Sequence, residues 1–94
     1  LICVFFAIRA DRATYAMCVT GSFNQWHPAQ HSLTNDPATG IWSGYVPLAQ
    51  RGRIEYRFVR NGHEWLPDPL TETVADGFGS SNSVFFANPG ATSE

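Results

Sequence analysis

The sequence predicts an all-β sandwich of about seven short antiparallel strands, because short β-rich runs recur at roughly 8- to 12-residue spacing between turn residues. No window shows a clean helical period. Six prolines and eight glycines are spread through the chain and break any longer element. With 94 residues and a hydrophobic fraction of 44%, the chain is one globular domain with one modest core.

The first run is Ile2 to Arg9. Val4, Phe6 and Ile8 alternate with Cys3, Phe5, Ala7 and Arg9, so the first set is expected inside. The "ADRAT" loop follows, then a run from Tyr15 to Thr20 with Met17 and Val19 inward, ended by Gly21. "TNDPATG", 34 to 40, is turn chemistry. "IWSGYVPL" places Trp42, Val46 and Leu48 on one face, which makes Trp42 a core residue. "AQRG" turns the chain again. "RIEYRFVR", 53 to 60, is the cleanest alternation: Ile54, Tyr56 and Phe58 against Arg53, Glu55 and Arg57. Asn61-Gly62 is a hairpin signal. It leads into "HEWLPDP", where Pro67 and Pro69 restrict the strand to an edge. The stretch 71 to 83 reads as loop, and "SVFFA" as the closing strand. The domain is expected to span 1–88, with a flexible tail at 89–94.

Charge and motifs exclude several functions. The net charge is −2, and all six positive charges are scattered arginines, so the basic footprint of a nucleic-acid binder is missing. No apolar run approaches the ~18 residues of a membrane helix. Cys3 and Cys18 pair only if the first two strands form a hairpin that sets them opposite each other. Two free thiols of a cytoplasmic protein is the reading the composition favours. His27 and His31 have an i, i+4 spacing, but Pro28 denies the helix that would make it a metal site. No serine sits in a nucleophile elbow, and "DGFGSSNS" lacks the lysine and helix of a phosphate loop. Asp68 and Asp76 are candidates for acid–base work by residue type alone. The chain is therefore expected to be non-catalytic, without metal or cofactor.

The aromatics carry the remaining signal. Trp26, in "GSFNQWHP", and Trp65, in "NGHEWLPDP", both lie beside turn chemistry. Either each caps an open end of the sandwich, or both present a flat face to a ligand. Sugars offer an apolar C–H face, which a ring covers, and a hydroxyl rim. Arg57 brings donors to such a rim, and Asn82 brings both donor and acceptor.

"VTGSFNQWHP", "GIWSGYVPL", "IEYRFVRNGHEWLPDP" and "DGFGSSNSV" occur in an order and spacing that resembles the family-48 carbohydrate-binding modules. These include the glycogen-binding domain of AMP-activated kinase β subunits and the module preceding the catalytic barrel of isoamylases and branching enzymes. The resemblance runs from about Val4 to Phe86. It implies an immunoglobulin-like β-sandwich of the early-set type and an α-1,4-glucan ligand. It also implies roles for particular residues. Trp26 and Trp65 match the two stacking tryptophans, and Arg57 stands where the kinase-type domain has lysine. Phe78 matches an apolar residue threading against the glucan, and Ser80 and Asn82 match the hydroxyl-binding pair after it. Here two residues separate Gly62 from Trp65, one more than in the kinase-type pattern, so the ring can fall on either face of its strand. The alternative is a docking domain of a larger α-glucan-active enzyme or kinase regulatory subunit, with its exposed aromatics packed on protein.

Overall fold

The computed structural model describes residues 2–87. The tail expected at 89–94 lies outside the described residues. Nine strands are present among the described residues: β1 (Ile2–Arg9), β2 (Met17–Gly21), β3 (His31–Ser32), β4 (Thr34–Asp36), β5 (Ile41–Leu48), β6 (Gly52–Arg60), β7 (Glu64–Leu66), β8 (Thr73–Ala75) and β9 (Ser81–Ala87). They form two antiparallel sheets, one of order β1-β5-β4 and one of order β3-β2-β6-β9-β8, with β7 also paired to β6. No helix among the described residues is long and apolar enough to cross a membrane.

The predicted all-β sandwich is correct, and the five long runs fall within two residues of where alternation puts them; β2 begins at Met17 and not at Tyr15, because the Tyr15 and Ala16 N–H groups bond to the Asn61 side chain. Three short strands, β3, β4 and β8, are not expected from the sequence, whereas β7 is the edge strand that the Asn61-Gly62 turn predicts. "TNDPATG" opens with β4, which pairs with β5 before the turn. The supposed loop at 71 to 83 contains β8 and the start of β9, joined as a hairpin. Strands of two or three residues have no room for a period, so only their partners reveal them.

Phe6 joins the two sheets. From β1 its ring lies 5.0 Å from Tyr56 and 6.5 Å from Phe58 on β6, both edge-to-face, and 6.0 Å from Phe85 on β9. Around it the core closes with Ile8, Met17, Val19, Leu33, Trp42, Val46, Leu48 and Ile54. Trp42 is buried, as its alternation predicts.

The first two strands do not form a hairpin. β1 pairs with β5 in one sheet and β2 with β3 and β6 in the other, so Cys3 and Cys18 are free thiols on different sheets. β7 stops at Pro67, which cannot extend a ladder. Beyond it, buried Asp68 ties the chain back to the sheet. Its backbone N–H donates to Ser83 Oγ at 2.6 Å, and its Oδ2 accepts the Tyr56 hydroxyl at 2.7 Å.

Candidate functional site

The outer face of the larger sheet carries a groove of about 480 Å³. Three segments wall it, and β6 with β9 supplies its floor.

The first wall is the turn after β2. Residue 21, the last of that strand, is glycine because a Cβ there would lie 2.3 Å from the Glu55 carbonyl oxygen. Asn24 folds the turn back: its Oδ1 accepts from the Gly21 N–H at 3.0 Å and from the Thr20 hydroxyl at 3.3 Å. Gln25 and Trp26 then take left-handed backbone, at φ 55° and 59°. Such a conformation is uncommon for a bulky side chain and is found where surrounding structure imposes it. The Trp26 N–H bonds to the Gly21 carbonyl at 2.9 Å, which fixes the half-buried indole at the groove. Ser22 also lines the groove. Its N–H donates to the Glu55 carbonyl, and its hydroxyl accepts from the Glu55 N–H.

The second wall is Trp65. Asn61 and Gly62 make the tight turn with φ 55° and 79°, as an Asn-Gly pair favours. Trp65 then pairs with Val59 across β6 and β7. Val59, Arg57 and Glu55 alternate with the inward Ile54, Tyr56 and Phe58, so Trp65 lies on the outer face and lines the groove at 38% exposure. The additional residue ahead of it leaves the ring on the groove side.

The third wall is the β8–β9 loop, Asp76 to Ser80. Gly77 and Gly79, at φ 85° and 90°, flank Phe78, which is 93% exposed. Asp76 holds the loop closed. Its Oδ1 accepts from the Phe78 N–H at 2.7 Å and the Ser80 N–H at 3.1 Å, and its own N–H donates to the Ser80 carbonyl. The Phe78 N–H in the first place, with the Ser80 N–H and Arg57 beside it, holds the Asp76 carboxyl below its ordinary range against an opposing desolvation.

The floor is polar and connected. Arg57 donates from Nη2 to Asp76 and from Nε to Asn82 Oδ1. Asn82 donates from Nδ2 to Glu55 Oε1 at 3.1 Å, and Glu55 pairs with Arg53 at 3.3 Å. Two of the five guanidinium N–H groups of Arg57 are so occupied, and the other three have no protein acceptor among the described residues. With Arg57 paired to Asp76 and Glu55 paired to Arg53, the groove has no cationic excess to draw an anion. Its donors and acceptors suit a neutral polyhydroxyl ligand lying against aromatic faces.

The structure brings Trp26, Arg57, Trp65, Phe78 and Asn82 to one groove. Ser80 is not among the lining side chains. It sits at the foot of the loop, where its backbone holds Asp76. Ser22, Glu55 and Asp76 also line the groove, and their sequence pattern does not mark them as binding residues. For Asp76 a signal existed: Asp-Gly ahead of a second glycine marks an Asx-type turn. Among the described residues, no three His, Cys, Asp or Glu side chains gather as a metal site.

A β-sandwich with an open, aromatic-walled, polar-floored groove has the form of a ligand-binding module. The chain belongs to the carbohydrate-binding module 48 family (isoamylase N-terminal domain), whose model matches residues 3–71. It is similar to 1,4-alpha-glucan branching enzymes. That of Marinobacter nauticus is 36% identical over 61 residues, covering 62% of this chain and 9% of the enzyme. That of Pseudomonas syringae pv. syringae is 34% identical over 70 residues, covering 71% and 9%. That of Bacillus cereus is 38% identical over 56 residues, covering 60% and 8%. The chain thus spans less than a tenth of the length of these relatives. The family match takes in Trp26, Arg57 and Trp65 and stops before Asp76, so the loop bearing Phe78 lies outside it.

Proposed function

We propose that this module binds α-1,4-linked glucan, glycogen- or starch-like, without catalysing its turnover. Trp26 and Trp65 stack on pyranose faces, Phe78 lies against the chain, and Arg57 and Asn82 address hydroxyls. The observation that carries this reading is the convergence of three partly or fully exposed rings on one charge-matched polar floor. The site is shallow and buries little area, so binding is weak, on the order of micromolar to millimolar. A polymer with many chain ends compensates for that weakness. The free thiols Cys3 and Cys18 fit a reducing, cytoplasmic setting.

The test is a tryptophan-fluorescence titration with maltoheptaose or β-cyclodextrin, cellohexaose serving as control, on the wild type and Trp26→Ala. A saturable change with the α-linked sugars, lost in the variant, is expected. A flat response up to about 10 mM, beyond useful single-site affinity, would overturn the reading.

The alternative, a docking domain of a larger α-glucan-active protein, is favoured by one feature. Phe5 and Tyr45 are exposed on the outer face of the β1-β5-β4 sheet with their rings 5.1 Å apart. That face is opposite the groove, so docking there and glucan binding are compatible.

A further inference from the structure

The outer face of the larger sheet continues past the groove. On β9, Ser83, Phe85 and Ala87 turn inward; Phe85 packs on Phe6 and on Tyr56, at 6.0 and 5.6 Å. Asn82, Val84 and Phe86 therefore share the outer face. Phe86 is 72% exposed. It lies four residues from Asn82, about 13 Å at the ordinary strand rise. Its cross-strand neighbour is Arg53, and Val84 faces Glu55.

The polar floor leads to it. Asp76, Arg57, Asn82, Glu55 and Arg53 form one continuous chain of side-chain contacts along β6 and β9. Exposed Phe78 stands at one end of that chain, and exposed Phe86 at the other. Core packing accounts for Phe85 but not for Phe86. An aromatic ring beside an Arg–Glu pair repeats the chemistry of the groove: a flat apolar face next to hydroxyl-directed donors and acceptors.

We infer that Phe86, with Arg53 and Glu55, forms an outlying subsite that extends the glucan site along β6 and β9 and favours longer chains. This rests on the proposed glucan reading. Short oligosaccharides fill the groove between Trp26, Trp65 and Phe78 and do not reach Phe86. Longer ones continue over Glu55 and stack on it.

Isothermal titration with a series from maltotriose to maltodecaose tests this on the wild type, Trp26→Ala, Phe86→Ala, Phe86→Tyr and Arg53→Ala. Wild-type affinity is expected to rise with chain length. Phe86→Ala should lose roughly threefold to tenfold on the longest chains, the scale of one aromatic contact, and nothing on the shortest. Phe86→Tyr should keep the length dependence. Arg53→Ala, on the other strand, should lose part of it, which guards against a folding effect at Phe86. Unchanged length dependence in Phe86→Ala, or an equal loss on short and long chains, would overturn the subsite and leave the glucan reading standing. If the wild type binds no member of the series, the glucan reading fails and the subsite with it.

Discussion

Arg57 on β6 and Asp76 at the foot of the Phe78 loop form an ion pair whose side chains are only 13% and 15% exposed. The same carboxylate receives the backbone N–H groups of Phe78 and Ser80. One side chain therefore orients the cationic donor of the groove and shapes the loop that carries its most exposed ring. Asp76→Asn keeps an acceptor for the two N–H groups but gives up the charge facing Arg57; Asp76→Ala gives up both. Glucan affinity is expected to fall several-fold in the first and further in the second. Amide exchange at Phe78 and Ser80 should accelerate only in the alanine variant.

The same carboxylate sets an acid limit. Its pKa is lowered in the folded protein, so its contribution is present above the ordinary carboxylate range and is lost as pH falls through the lowered value. Glucan affinity should owe no change to Asp76 between about pH 5 and 8. Below that window, amide protection at Phe78 should disappear before the sandwich unfolds. Titration of that protection near neutrality would contradict the assignment.

Trp26 and Trp42 should respond oppositely to truncation. Trp42 is buried in the core, and Trp42→Ala is expected to cost about 3–5 kcal/mol. Trp26→Ala should remove binding while leaving a folded domain. Because residue 26 has φ 59°, Trp26→Gly should be more stable than Trp26→Ala by about 1 kcal/mol. Thermal melts beside the fluorescence titration separate these effects; equal stability of the two Trp26 variants would argue against backbone strain there.

Tyr56 is buried, and its hydroxyl donates to Asp68, itself buried. Tyr56→Phe leaves that carboxylate short of a donor, at a cost of about 1–3 kcal/mol in denaturant melts. Burial first, and the Asp68 bond next, raise the Tyr56 pKa above the usual tyrosine value. Its contribution is fully present below about pH 10, the unfolded value, and fades as pH rises above it. The phenylalanine variant should lack this share of the alkaline decline.

Gly21→Ala should disturb fold and site together. The new Cβ would meet the Glu55 carbonyl at 2.3 Å and the Phe23 ring at 2.7 Å. A loss of about 1–3 kcal/mol is expected from overpacking. Weaker glucan binding should accompany it, because the Trp26 N–H hangs on the Gly21 carbonyl. Gly62→Ala is the control. It has free space around it, φ 79° and no bond to the Trp26 turn, so its cost should be backbone strain alone.

Much of this was legible in the chain itself. Alternation in "RIEYRFVR" and "IWSGYVPL" assigned Ile54, Tyr56, Phe58, Trp42, Val46 and Leu48 to the core, because a strand's side chains must alternate between a wet and a dry face. Turn chemistry beside Trp26 and Trp65 set both rings at the edge of the fold. The tertiary structure decided the rest. It put Cys3 and Cys18 on different sheets, made β4 and β8 into strands, turned Trp65 to the groove side and gave Asp76 its partners. Each of these depends on which distant segment lies alongside. Arg57 is 19 residues from Asp76 and 25 from Asn82, and Asn82 is 27 from Glu55. Local pattern specifies which way a side chain faces along its own strand; only sheet pairing specifies what it faces.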